Sequence, residues 1–222
     1  MSETVLPFLE FGAPRGEAEM TIILMHGLGA DGHDFADVAA ALCRAAEPRA
    51  WRFVLPHAPV QKVTINMGMP MPAWYDIIDF SHPREVNWNT VQESQDRIEE
   101  LLENEKGAEK IILAGFSQGG AMALHVGLRN QKDIAGIFAM SGYLLESETK
   151  PAPGKETEIP IALFHGKADP VVPFEAAGRT KEALEEAGYS PSMNVYEWME
   201  HSVCEDEIAH VFQFLGSFDL KT

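Results

Sequence analysis

Apolar and polar positions follow two alternating rhythms along this chain. Nearly unbroken apolar runs at residues 20–25, 51–55, 111–114, 134–140 and 160–164 have the length of buried strands, and residues 194–198 have strand-forming composition. Between them, apolar residues recur at the helical period. Residues 34–46 set Phe35, Val38, Ala39 and Leu42 on one side, and residues 90–106 do the same with Ile98, Leu101 and Leu102. Thr90-Val91-Gln92-Glu93 reads as a capping box opening the second of these helices. Residues 175–187, closed by Gly188, and residues 203–218 predict two more. Residues 5–11 predict an N-terminal edge strand. Strands alternating with helices point to the α/β class: a mostly parallel central sheet covered by helices on both faces.

Two stretches break the alternation. Residues 56–76 are long, apolar and proline-containing, and a loop of that length inside a compact domain is usually functional. Residues 145–158 are polar, carry Pro151 and Pro153, and read as a surface excursion. No repeat or linker divides the chain, so residues 1–222 are expected to form one domain.

Charge and cysteine content narrow the functions. A net charge of −17 argues against nucleic acid and against electrostatic adsorption to anionic lipid, since both need clustered Lys and Arg. It leaves room for a neutral, lipid-like substrate. No apolar run reaches the roughly 18 residues of a membrane span, so stable insertion is not expected. The N-terminus lacks the pattern of a secretion signal, and Cys43 and Cys204 are too few for a disulfide framework. Both point to a reducing, cytoplasmic setting.

Candidate chemistry centres on Gly115-Phe116-Ser117-Gln118-Gly119. An apolar strand precedes it and a helix-forming run follows, the layout of a nucleophile elbow. A plain strand-to-helix turn would use similar residues. A serine nucleophile needs a base, and the base needs an acid to orient it, in the chain order Ser, acid, His. Asp169 stands just after the strand at 160–164 and a Gly turn, where it also suits a turn or a helix cap. Of eight histidines, His26, His33, His57 and His82 precede Ser117, His125 and His210 lie inside helices, and His165 precedes the acid. His201 remains, in a loop between the last strand and the last helix. For the oxyanion, the N–H of Gln118 and that of Leu28, in Met25-His26-Gly27-Leu28-Gly29, are the candidate donors. No metal-ligand motif or phosphate-binding glycine loop is present, and acyl transfer needs no cofactor.

With these residues in hand, the chain resembles the bacterial carboxylesterase and acyl-protein thioesterase/lysophospholipase family of α/β hydrolases. The likeness runs through His26-Gly27-Leu28-Gly29-Ala30-Asp31, Pro56-His57-Ala58-Pro59, Ala73-Trp74-Tyr75-Asp76, Gly115-Phe116-Ser117-Gln118-Gly119-Gly120, Ser141-Gly142-Tyr143-Leu144, His165-Gly166-Lys167-Ala168-Asp169 and His201-Ser202-Val203. The resemblance implies a Ser117–His201–Asp169 triad with Leu28 and Gln118 as oxyanion donors. It also implies cytosolic acyl esters or thioesters as substrates, acylated proteins among them, and it allows a homodimer. One position departs from the family's pattern: Glu200 stands where glycine usually precedes the catalytic histidine.

The expected reaction is cleavage of esters or thioesters of short-to-medium acyl chains through an acyl-enzyme. Met67, Met69, Met71 and Trp74 are candidates for an apolar groove, or for residues that only pack the 56–76 segment onto the body. If that segment is a lid, its opening would limit turnover. A dedicated lysophospholipase, a peptidase, and a non-catalytic hydrolase fold that binds a lipid or small ligand remain as alternatives.

Overall fold

The computed structural model describes residues 5–79, 84–145 and 159–218. In chain order the elements are β1 (Phe8–Gly12), β2 (Met20–Met25), a 3-10 turn (Gly32–Phe35), α1 (Ala36–Ala46), β3 (Trp51–Pro56), β4 (Val60–Val63), a second 3-10 turn (Thr64–Asn66) and β5 (Met69–Pro72). They continue with α2 (Trp88–Glu105), β6 (Lys110–Phe116), α3 (Gln118–Gly127), β7 (Gly136–Met140), β8 (Ile161–Gly166), α4 (Phe174–Glu186), β9 (Ser192–Tyr196) and α5 (Glu205–Gly216).

Seven strands form one sheet in the order β1-β3-β2-β6-β7-β8-β9. The edge strand β1 runs antiparallel to β3, and every other neighbour is parallel. The apolar runs are unbroken because these strands are covered on both faces. Alternate side chains of β2 feed two core layers. Ile23 and Met25 join Leu113, Ile137, Ile98, Leu101 and Met122 on the α2–α3 side. Met20, Ile22 and Leu24 join Ile112, Phe138, Phe164, Leu42 and Leu215 on the α1–α5 side.

Parallel pairing brings the carboxyl ends of β2, β6, β8 and β9 to one edge of the sheet: Met25 pairs with Gly115, Phe116 with Met140, Met140 with Phe164, and Gly166 with Tyr196. The loops that follow these strands carry residues 26–29, Ser117, Asp169 and His201, and that edge is where open parallel sheets place their ligands.

Several expectations need correction. The 56–76 segment is not a structureless loop but a β4–β5 hairpin. Met67, at φ 58, and Gly68, at φ 72, turn it, and Gly68 N–H donates to the Val63 carbonyl. A two-stranded ribbon has outer positions with no ladder partner, so it tolerates Pro70 and Pro72. Helix α2 starts earlier than the capping box suggests. Asn87 caps it by accepting from Asn89 N–H, and the Thr90 hydroxyl instead donates to the Asn87 carbonyl and accepts from Asp76 N–H. Residues 34–46 divide into a 3-10 turn capped by Asp31 and then α1. Strand β9 ends at Tyr196, leaving Trp198 exposed beyond it. Nearly all of the 145–158 excursion lies outside the described residues.

Candidate active site

The turn between β6 and α3 holds Ser117 at φ 54, ψ −116, a conformation that L-residues rarely adopt. Crowding explains the flanking glycines. A Cβ on Gly115 would lie 2.2 Å from the Gly119 backbone, and one on Gly119 would lie 2.3 Å from the Met25 carbonyl oxygen. The close approach at Gly119 sets the start of α3 against the loop after β2. Ser117 N–H donates to the Met140 carbonyl, which anchors the turn to β7.

A continuous hydrogen-bonded chain runs from this serine. Ser117 Oγ lies 2.9 Å from His201 Nε2, and His201 Nδ1 lies 2.7 Å from Asp169 Oδ2. The other carboxylate oxygen, Asp169 Oδ1, accepts the N–H groups of Val171 and Val172, each at 2.8 Å. Burial alone would raise the Asp169 pKa, but the hydrogen bonds from His201 and from these amides outweigh it and hold the carboxyl below its usual range. Asp169 is therefore an acceptor, which places a proton on His201 Nδ1 and leaves Nε2 free to accept from the serine hydroxyl. The Phe116 ring, 4.8 Å from the His201 ring between centroids, backs the imidazole.

A buried histidine steadies the acid loop. His165 Nε2 donates to the Val172 carbonyl at 2.8 Å, and burial lowers its pKa. Its place before the acid excluded it as the base, and nothing in the sequence marked this supporting role.

Around the candidate oxyanion donors, His26 is nearly fully buried. Its Nε2 accepts from Ala58 N–H at 3.1 Å, so its proton sits on Nδ1, 2.7 Å from the Gly27 carbonyl oxygen. Burial lowers the His26 pKa and keeps the ring neutral. Gly27 C=O and Leu28 N–H belong to one peptide unit, so the bond to that oxygen fixes the direction of that N–H. Among the described residues no group accepts from Leu28 N–H or Gln118 N–H.

The four groove candidates separate. Met67 and Met69 lie exposed on the hairpin. Met71 is half-buried, with its sulfur on the side of Gly29. Trp74 is fully buried, so its ring is not part of an accessible groove; its Nε1 donates to the His26 carbonyl at 2.9 Å. Glu200 is exposed directly before His201.

For metal ions, Asp31, His33 and His57 bring one ligand atom each within 4.8 Å of one another. Their hydrogen bonding does not suit ligation. His57 Nδ1 accepts from Gly32 N–H, which puts the ring proton on the nitrogen a metal would need, and Asp31 Oδ1 is bound to His33. Among the described residues no helix is long and apolar enough to cross a membrane.

The doubly covered parallel sheet, the elbow at Ser117 and the Ser-His-Asp arrangement at its carboxyl edge define the α/β-hydrolase class. The chain belongs to the Phospholipase/Carboxylesterase family, whose model matches residues 8–218. It is 38% identical over 208 residues to acyl-protein thioesterase 1 of Neurospora crassa, an alignment covering 88% of this chain and 85% of that one. It is 36% identical to acyl-protein thioesterase 1 of Gibberella zeae, with 88% of both chains covered. Among solved structures, Zea mays acyl-protein thioesterase 2 superposes with a TM-score of 0.82 at 25% identity, covering 95% of this chain and 98% of that one.

Proposed function

We propose that this chain hydrolyses carboxylic esters or thioesters of acyl chains through a covalent acyl-enzyme. The observation that carries this reading is the unbroken Asp169–His201–Ser117 hydrogen-bonded chain at the elbow. His201 Nε2 takes the Ser117 proton as Oγ attacks the acyl carbonyl. The carbonyl electrons move onto oxygen, which rests on the N–H groups of Leu28 and Gln118. Collapse expels the alcohol or thiol, protonated by His201. Water then gives a proton to His201 and attacks the acyl group, releasing the carboxylic acid and restoring Ser117. Asp169 orients the ring and stabilises its protonated form.

The substrates we assign are lipid-like acyl esters and thioesters, including acylated proteins, met in the cytoplasm. Support comes from the thioesterase names of the relatives and from Met67, Met69 and Met71 on the neighbouring hairpin, whose flexible apolar side chains suit an acyl chain.

The test is hydrolysis of p-nitrophenyl esters and acyl thioesters of increasing chain length, beside Ser117→Ala. Turnover that disappears in the variant supports the reading. A folded protein that turns over none of them refutes it and favours a binding role, and turnover that survives Ser117→Ala refutes the covalent route through Ser117.

A further inference from the structure

The Gln118 side chain is almost fully buried yet polar, and acyl transfer through its backbone N–H makes no use of its amide. That amide is fully engaged. Its Oε1 accepts from Trp74 N–H at 2.8 Å, and its Nε2 donates to the Tyr75 carbonyl at 2.7 Å. The orientation is unambiguous, since a backbone N–H only donates and a backbone carbonyl only accepts. Trp74 and Tyr75 are fully buried, so water cannot replace either bond.

The strand end and segment it grips, residues 72–75, also hold the other oxyanion candidate. Gly29 N–H donates to the Pro72 carbonyl at 2.9 Å, and Trp74 Nε1 donates to the His26 carbonyl at 2.9 Å. The same four residues thus bond twice to the loop carrying Leu28 and twice to Gln118. Ser94 Oγ donates to the Trp74 carbonyl and ties this bridge to α2. The bridge continues directly into the β4–β5 hairpin that carries the three methionines.

We infer that the Gln118 side chain is a positioning residue: by clamping the Trp74–Tyr75 backbone it fixes the spacing of the Leu28 and Gln118 N–H groups and couples the oxyanion site to the base of the hairpin. This rests on the acyl-transfer reading above. Substitution of Gln118 leaves its own backbone N–H in place, so any effect on chemistry comes from geometry.

Gln118→Met keeps the volume and removes both bonds. Misplacing an oxyanion donor is expected to lower kcat about ten- to a hundredfold with little change in KM. Affinity for an alkyl trifluoromethyl ketone, which adds Ser117 to form a tetrahedral oxyanion, should fall by the same factor. Gln118→Glu keeps an acceptor for Trp74 N–H but can donate to the Tyr75 carbonyl only when protonated, so its activity relative to the unsubstituted protein should rise as pH falls. The ratio cancels titrations common to both proteins.

A folded Gln118→Met with kcat and ketone affinity within about twofold of the unsubstituted protein overturns the inference, as does a loss confined to KM. If Gln118→Met does not fold, the Gln118→Glu ratio decides, and a ratio independent of pH overturns it. Inactivity of the unsubstituted protein would instead strike the acyl-transfer reading.

Discussion

His26 Nδ1 and the Gly27 carbonyl oxygen stand 2.7 Å apart, and that one bond fixes the peptide whose N–H belongs to Leu28. His26→Ala removes it and also strands the Ala58 N–H that the ring accepts. The expected result is a stability loss of about 1–3 kcal/mol for the orphaned amide and a fall in kcat of about ten- to a hundredfold. His26→Gln, which offers both a donor and an acceptor, should recover part of each. Urea unfolding and steady-state kinetics check this; a folded His26→Ala with unchanged kcat would separate the histidine from the oxyanion site.

Trp74 and Met71 should respond differently to chain length, although both lie at the end of the hairpin. Trp74→Ala empties a fully buried site and cuts the bond to the His26 carbonyl. It should cost about 3–5 kcal/mol of stability and reduce activity on short and long acyl esters alike. Met71→Ala, at the half-buried position beside Gly29, should leave acetate turnover nearly intact and reduce turnover of longer chains. Rates across a p-nitrophenyl ester series decide, and matching profiles for the two variants would refute the distinction.

The sequence carried what depends on order and period. Strand runs were legible because parallel strands covered on both faces stay apolar throughout. The chain order of nucleophile, acid and base picked out Ser117, Asp169 and His201, which the fold brings into contact across 84 and 32 residues of sequence. The hairpin was hidden by prolines and by four-residue strands too short to show alternation. The Gln118 clamp was hidden because nothing local says that residues 43 and 44 positions apart meet. Trp74 stayed open between groove and packing because an aromatic residue in an apolar loop looks the same whether it faces substrate or the core. Glu207 lies in the acidic first turn of α5, and only tertiary packing of that helix buries it.

Glu200 places an exposed carboxylate beside the base, where the family's pattern has glycine. A side chain at that position restricts the backbone that leads into the base, which glycine would leave freer. Glu200→Gly should retain activity and lower stability by about 0.4–1 kcal/mol, because the unfolded chain gains freedom that folding must remove. Urea unfolding beside steady-state kinetics is the check, and an unchanged midpoint would refute it.

Glu207 and His125 should tilt stability in opposite directions with pH. The Glu207 side chain is fully buried and its oxygens have no hydrogen-bond partner among the described residues. Burial pushes its pKa from 4.5 up to about 8, opposed only slightly by the nearby Cys204 N–H, which falls short of hydrogen-bond geometry. The folded protein therefore keeps a proton that the unfolded chain releases. That contribution is fully present below about 4.5 and is lost as pH rises toward about 8. His125 is lowered from 6.5 to about 4 by burial and by Arg129, so its contribution is present above 6.5 and is lost as pH falls toward about 4. The two slopes oppose each other where the windows overlap, and above 6.5 the Glu207 slope stands without that opposition, at up to about 1.4 kcal/mol per pH unit. Glu207→Gln should flatten the decline in stability between about pH 6.5 and about pH 8, while His125→Gln should flatten the decline on the acid side. Urea midpoints across pH measure both, and a Glu207→Gln curve parallel to that of the unsubstituted protein would show that Glu207 does not hold the proton.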